Sequence, residues 1–372
     1  MIYFLIAGEA SGDLHGAQLM AAIKQRDAKA RFVFLGGDLM AEQAGHEPVI
    51  HYREMAYMGF SEVLRNLGTI SHNLKKTKAA LRLAHPDRLI LIDYPSFNLK
   101  IAKEAKRYGI DVTYYISPKV WAWKEWRVRT IKQVVDRVLV IFPFEVDFYK
   151  SRHDYDVTYI GNPSVEEIDA RLASLPPREE FIKTHNLPTR QLIALLPGSR
   201  LGEIRNNLPI MLKAADDFPQ YRPVIAAAPG VDDEFYRSIA GNATVLRDNT
   251  ITLLAYSRGA LVTSGTATLE AALIGTPQVA CYRANGNKIS YKIMEKLLKV
   301  DYVTLPNLIA EREVIPELLV HNCTVEAVSD ALGLILPDNN ARQKMLDGYR
   351  EIRHRLGTLK AATTAAEIIC RR

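Results

Sequence analysis

Short runs of consecutive apolar residues, each followed by a helical-looking segment, constrain this chain more than any other feature. In the first half they read IYFLIA, RFVFLG, RLILID, DVTYYI and DRVLVIF; in the second, QLIALLPG, RPVIAAA, GALVTSG and PQVACY. A strand that is apolar at nearly every position is covered on both faces. Strands separated by helices pair in parallel through crossovers, so the fold class is α/β. The 372 residues leave room for two such units, each with its own core. A seam follows YIGNP (159–163), where the polar stretch RLASLPPREEF carries the extended pair Pro176-Pro177. The expected division is 1–162 and 163–336, with helices over 337–372 packing back across the two domains.

Hydrophobic content of 48% and charged content of 24% belong to a soluble globular chain. No apolar run reaches the ~18 residues that suggest a membrane span. The amino terminus starts directly with a strand-like run and lacks a basic n-region, so no signal peptide is expected. Cys281, Cys323 and Cys370 are scattered, without CxxC or histidines at metal spacing, and imply neither a disulfide frame nor a zinc site. A cytoplasmic setting follows. The net charge of +6 is spread along the whole chain and forms no basic block, so it does not select nucleic acid as a partner.

In open parallel sheets, ligands bind beyond the carboxyl ends of the strands. Gly8, Glu9, Ser11, Gly12 and Asp13 lie just past the first strand, and Asp93 closes RLILID ahead of Tyr94-Pro95-Ser96-Phe97-Asn98. Both groups are expected on one rim of the first domain. Asp93 reads either as a helix cap or as a catalytic carboxylate. For Asp13, capping the helix from Leu14 is the better reading. The glycines at 8, 12 and 16 do not make GxGxxG, and no acid-terminated second strand follows, so nicotinamide binding is not supported. His15 falls a turn inside the first helix.

Two strand ends in the second domain suit phosphate. QLIALLPGSR ends in Gly198, Ser199 and Arg200, where glycine lets backbone amides approach an anion and an arginine fork grips a diphosphate. ALVTSGTATLEAALIG places Ser264, Gly265 and Thr266 at a strand-to-helix turn, facing an anion with free amides and a positive helix end. Glu270, a turn later, is placed to accept from ribose hydroxyls. The alternative makes Thr266 an N-cap and Glu270 part of a capping box. Two such ends in one domain, with Arg200, tilt the reading towards a nucleotide diphosphate. GxxxxGK[ST] is missing, which removes a P-loop enzyme.

Asp154-Tyr155-Asp156 is formally a DxD metal motif but precedes a strand, on the wrong rim, and reads as a solvated loop. Phe60, Val63, Leu64, Leu67, Ile70 and Leu74 recur at helical spacing, followed by Lys75, Lys76, Lys78 and Arg82. That stripe is either an interfacial surface or a helix covering its own sheet. SPKVWAWKEWRVR (117–129) mixes Trp121, Trp123 and Trp126 with four cations and reads as half-buried tryptophans, a sugar- or base-stacking loop, or an interface marker.

Taken in order, AGEASGD (7–13), YISPKVWAWKEWR (115–127), LPGSR (196–200), SGTATLE (264–270) and DYVTLPNLIAERE (301–313) resemble the lipid A disaccharide synthases across nearly the whole chain. These are inverting glycosyltransferases of GT-B architecture. The resemblance implies two Rossmann-like domains facing across a cleft, acceptor on the first and sugar nucleotide on the second. It also implies the reaction of UDP-2,3-diacylglucosamine with 2,3-diacylglucosamine 1-phosphate (lipid X), giving the β-1,6-linked disaccharide 1-phosphate and UDP. The setting it implies is the cytoplasmic face of a Gram-negative inner membrane, held peripherally. Three positions depart from the family pattern: Ser96 for an acid, Glu311 for a glycine, and Asn162 for a histidine, to which no role is given.

On this reading Asp93 is the general base, with Glu9 as second candidate or sugar binder. Arg200 and the amides at Gly265 and Thr266 steady the departing UDP, Glu270 holds the ribose, and Asn307 contacts phosphate. Ser11 and Asp13 join Glu9 at the acceptor, and Phe60, Val63, Leu64 and Leu67 meet acyl chains. Neither metal nor cofactor is required.

Overall fold

Two parallel sheets carry the chain in a computed structural model that describes residues 1–55, 67–263, 265–283 and 302–371. The first sheet comprises β1 (Ile2–Ala7), β2 (Arg31–Gly36), β3 (Ile50–His51), β4 (Arg88–Ile92), β5 (Asp111–Tyr115), β6 (Arg137–Val140) and β7 (Thr158–Tyr159). Its order is β3-β2-β1-β4-β5-β6-β7, every neighbour parallel. The apolar runs explain themselves on the two faces. Phe4, Ile6, Leu89 and Leu91 enter one core cluster, while Tyr3, Leu5, Ile90 and Ile92 enter the other. Side chains alternate across a strand, so a sheet covered on both faces needs apolar residues at consecutive positions.

The second sheet holds β8 (Leu192–Leu196), β9 (Arg222–Ala226), β10 (Thr244–Leu246), β11 (Ser257–Thr263), β12 (Gln278–Tyr282) and β13 (Glu317–Leu319). Their order is β10-β9-β8-β11-β12-β13, again parallel throughout. In each sheet the first strand lies between the second and the fourth to enter, so the winding reverses at that strand. Both are Rossmann-like.

The chain divides into one unit of Met1–Pro163 with Thr358–Arg372, and another of Ser164–Gly357. The second therefore runs past the expected limit at 336, and the two last helices part company. Helix Asn340–Leu356 stays with the second unit, where the Tyr349 hydroxyl donates to Thr276 O at 3.2 Å. Helix Ala361–Cys370 packs in the first unit, burying Ala361, Ala365, Ala366 and Ile369 in the cluster of Tyr3 and Leu5. Small alanines on its inner side allow that approach.

Phe60, Val63 and Leu64 lie outside the described residues, and Leu67 opens helix Leu67–Ala84. The later part of the stripe faces the helix's own sheet: Leu74 packs against the core and Leu81 is fully buried within it. Glu311, where the family has glycine, holds the left-handed conformation a glycine would favour, at φ 56°, and its carboxylate pairs with Arg355 at 3.0 Å.

Gly161, at φ 95°, is where the carboxyl-terminal segment docks: a Cβ there would lie 2.1 Å from Leu359 O. Gly161→Ala combines left-handed strain with a backbone clash. It is expected to destabilise the first unit by about 3 kcal/mol or more, read as a lower urea midpoint.

Candidate active site

The first sheet reverses its winding between β1 and β4, and the two strands are paired from Tyr3↔Arg88 to Ala7↔Ile92. Chains leaving two adjacent strands towards opposite faces open a crevice at their carboxyl ends. Glu9 follows β1 and Asp93 follows β4, so the fold brings these two carboxylates to the same crevice.

The turn that presents Asp93 is strained. Asp93 and Tyr94 both adopt left-handed backbone, at φ 40° and 44°, a conformation that L residues hold only where the surroundings over-determine it. The surroundings do so here. The buried Asn98 amide donates to Ile92 O at 3.2 Å and Asp93 O at 2.8 Å, and the Tyr114 hydroxyl donates to Asp93 O at 2.6 Å. The Tyr94 hydroxyl reaches Met55 O at 2.9 Å, and its ring lies over Gly8, where a Cβ would sit 2.5 Å from Tyr94 Cγ. The glycine after β1 thus makes room for the turn after β4. In the sequence Asn98 is named without a role and Tyr114 is not singled out; the Asn five residues past a strand-ending Asp was the available signal.

Burial pushes the Asp93 carboxyl up to about 6, with the Glu9 charge adding to the rise and the cations of Lys119 and Arg127 opposing it. A carboxylate of that basicity is suited to take a proton near neutral pH. Glu9 is half-exposed and accepts from Ser11 Oγ at 2.5 Å. Asp13 requires a correction. It is 3% exposed, and its oxygens accept from Gly37 N at 2.7 Å, Leu39 N at 3.1 Å and Met40 N at 3.1 Å. It caps helix Asp38–Ala44 beyond β2, and not the helix from Leu14; buried and held by three amides, its carboxylate is committed to that cap and closed off from an acceptor sugar.

In the second sheet the reversal falls between β8 and β11. Gly198, Ser199 and Arg200 leave β8. The amides of Ser199 and Arg200 both donate to Glu203 Oε2, at 3.1 and 3.3 Å, so a carboxylate of the chain holds the position expected for a phosphate oxygen. That removes the Ser199 amide as a free anion donor. The Arg200 guanidinium, touching Glu203 at 3.2 Å, remains 70% exposed. After β11, Gly265 serves as N-cap of helix Thr266–Ile274 with no side-chain cap, and Gly265 and Thr266 are exposed. Thr266 is therefore not the cap, and Glu270 is not in a capping box. Ser264 lies outside the described residues. Burial raises the Glu270 carboxyl above the usual carboxylate range, with the Glu167 charge adding to it.

Asn307 also requires correction. It is fully buried, and its amide donates to Ile315 O and Glu317 Oε1, both at 2.9 Å, while Oδ1 accepts from Val314 N and Ile315 N at 2.7 and 3.0 Å. Such an asparagine shapes its loop and has nothing left for a phosphate. Asn207 does comparable work unforeseen from sequence. It joins three strand ends, donating to Pro197 O at 3.3 Å and Thr263 Oγ1 at 3.0 Å and accepting from Arg283 N at 2.7 Å.

Asp154 and Asp156 are exposed and pair with Lys150 at 3.5 and 3.0 Å, ahead of β7. Of the tryptophans, Trp121 is buried and donates to Glu145 Oε1 at 3.2 Å, whereas Trp123 and Trp126 are 52% and 64% exposed. The half-buried reading describes Trp123, while Trp121 is more enclosed and Trp126 more exposed than it supposes.

A family model described as lipid-A-disaccharide synthetase matches residues 3–369. The lipid-A-disaccharide synthase of Myxococcus xanthus is 40% identical over 373 residues, covering 98% of this chain and 96% of that relative. The one from Geobacter sulfurreducens is 34% identical over 374 residues, covering 98% and 95%. Among solved structures, the UDP-GlcNAc 2-epimerase of Neisseria meningitidis bound to UDP-GlcNAc aligns with a TM-score of 0.67 at 12% identity, covering 99% of this chain and 98% of that one. The glycotransferase of kitacinnamycin aligns at 0.61 and 14% identity, with the same coverage. The fold is thus GT-B, with two Rossmann-like units.

The Asp13 geometry separates structure from chemistry. Asp13→Ala strands three backbone amides, two of them in buried bonds, and is expected to cost about 2–4 kcal/mol in urea unfolding. Glu9→Gln, whose carboxylate holds only the exposed Ser11 hydroxyl, is expected to leave the urea midpoint within about 0.5 kcal/mol of the parent.

Proposed function

This chain belongs to the lipid-A-disaccharide synthetase family, and from that membership we propose how its residues divide the work of joining two lipid-linked sugars. The chain is a glycosyltransferase. It couples UDP-2,3-diacylglucosamine to 2,3-diacylglucosamine 1-phosphate, forming the β-1,6-linked disaccharide 1-phosphate and releasing UDP.

The reaction is a single displacement. The acceptor's 6-hydroxyl oxygen attacks the donor's anomeric carbon from the side opposite UDP. As the new C–O bond forms, the bond to the diphosphate oxygen breaks with its electron pair, and the configuration inverts. Asp93 takes the hydroxyl proton. The observation that carries this reading is its placement: a carboxylate of raised basicity at the winding reversal of the first sheet, on a turn fixed by Asn98 and Tyr114. Glu9, beside it, binds a sugar hydroxyl of the acceptor.

UDP belongs at the other reversal. The exposed Arg200 guanidinium and the uncapped helix start at Gly265 and Thr266 support that placement, because both favour the charge that builds on a leaving diphosphate. Glu270 accepts from the ribose; its raised basicity strengthens it as an acceptor when ionised. Both substrates carry acyl chains, so the chain works peripherally at the cytoplasmic face of the inner membrane. No described helix is long and apolar enough to cross a membrane.

The test is UDP release from the two lipid substrates. Asp93→Asn is expected to lower kcat by about 10²- to 10⁴-fold while the donor still binds; full activity in that variant would remove Asp93 as the base. For the parent, kcat/KM is expected to fall below pH about 6, following the Asp93 carboxyl. An acid limb near pH 4 would assign the proton to another group.

Stability is expected to move the opposite way. The folded Asp93 titrates near 6 and the unfolded one near its ordinary 3.8, so the native state binds more protons between those values. Its contribution to stability declines as pH rises through that window. Asp93→Asn removes the buried charge and is expected to raise stability at pH 8 by up to about 3 kcal/mol, seen as a higher Tm.

A further inference from the structure

The first unit contains two cations whose arrangement the reaction, as described, leaves unused. Most basic side chains near its core pair with carboxylates: Lys78 with Glu104 at 3.2 Å, Arg137 with Asp111 at 2.8 Å, Lys106 with Asp136 at 2.6 Å. Among the described residues, Lys119 and Arg127 form no such pair. Arg127 is partly buried, donates through Nη2 to Ser96 Oγ at 2.8 Å, and stacks its guanidinium 5.8 Å over the Trp126 ring. Ser96 is three residues past Asp93, so this bond fixes the guanidinium on the rim where the base stands. Lys119 is exposed on the stretch that follows β5, the strand beside β4. Both positive charges act on the Asp93 carboxyl.

A guanidinium drawn partly out of water with no carboxylate in direct contact is a costly arrangement, offset only in part by the Asp93 charge further off, and the cost is recovered when an anion arrives. The acceptor brings one. In a pyranose, C1 and C5 flank the ring oxygen, and C5 carries C6, the exocyclic carbon that bears the 6-hydroxyl. A sugar that offers its 6-hydroxyl to Asp93 therefore holds its 1-phosphate within one ring width of that carboxylate. A phosphate so close to Asp93 and Glu9 would be repelled unless cations stood beside it.

We propose that Arg127 and Lys119 form the acceptor's phosphate subsite, with Ser96 positioning the guanidinium. The assignment rests on the disaccharide-forming reading above and adds its acceptor recognition. Arg127 supplies a planar fork suited to two phosphate oxygens, and Lys119 a mobile point charge. The pair makes the enzyme choose an acceptor phosphorylated at C1 over the same diacylated sugar without phosphate.

The experiment compares UDP release with those two acceptors, for the parent and for Arg127→Gln, Lys119→Gln and the double variant. With the phosphorylated acceptor, each single variant is expected to raise acceptor KM by about tenfold and the double variant by about a hundredfold or more. The donor KM should hold within twofold. With the unphosphorylated acceptor, measured at about pH 8.5, where Asp93 stays ionised with or without these cations, the acceptor KM of parent and double variant should coincide within threefold, so that the preference for phosphate collapses. Arg127→Lys should restore part of the preference, which a purely structural defect would not. An active parent whose variants keep the full preference, or lose the same factor on both acceptors, overturns the subsite alone. A parent that releases no UDP with either acceptor overturns the activity reading and the subsite with it.

Discussion

Everything at the first rim depends on the pairing of β1 with β4. Because the chain winds outward from β1 in one direction and resumes beside it in the other, the loops after these two strands diverge, and their carboxyl ends stay open. The opening forces the two loops to share limited space. Gly8 leaves room for the Tyr94 ring, and the ring in turn supports a turn in which two consecutive residues hold left-handed backbone. Replace that glycine with any side chain and the turn bearing Asp93 must move. The strain is tolerated because Asn98 and Tyr114 donate to the carbonyls around it.

The same crowding sets the electrostatics. Partial burial and the neighbouring Glu9 charge raise the Asp93 carboxyl, while Lys119 and Arg127 hold it below the value burial alone would give. A balance of this kind leaves the group ionised at neutral pH yet basic enough to accept a proton. Glu145 shows what burial does elsewhere in the unit. Burial pushes its carboxyl up to about 7, even though the Ile141 and Phe142 amides and the Trp121 indole donate to it and oppose the rise. Those bonds make it a structural tie for the tryptophan-bearing stretch.

The second unit uses buried polar groups to shape its loops. Asn207 and Asn307 use their amides on backbone and neighbouring side chains, and Glu203 closes the turn after β8. With those demands met internally, the Arg200 guanidinium and the start of helix Thr266–Ile274 stay exposed to solvent. Asn307 is instructive because its motif suggests contact with phosphate, whereas four hydrogen bonds inside its own loop account for it.

Strand composition and the order of motifs determined the α/β class, the two-unit organisation and the positions past strand ends where chemistry belongs. Apolar residues on both faces of a strand leave few alternatives to a parallel sheet, and that constraint is local. Which polar side chains stay available was decided only by tertiary structure. Asp13 and Asp93 look alike in sequence, each an acid near a strand end. One meets three amides from a segment some 25 residues away and is consumed as a cap, while the other is raised by burial and keeps a more basic carboxyl. The same holds for the carboxyl-terminal helices, which follow one another in sequence but pack in different units. Hydrogen-bond saturation and burial depend on neighbours distant along the chain, and periodicity carries no record of them.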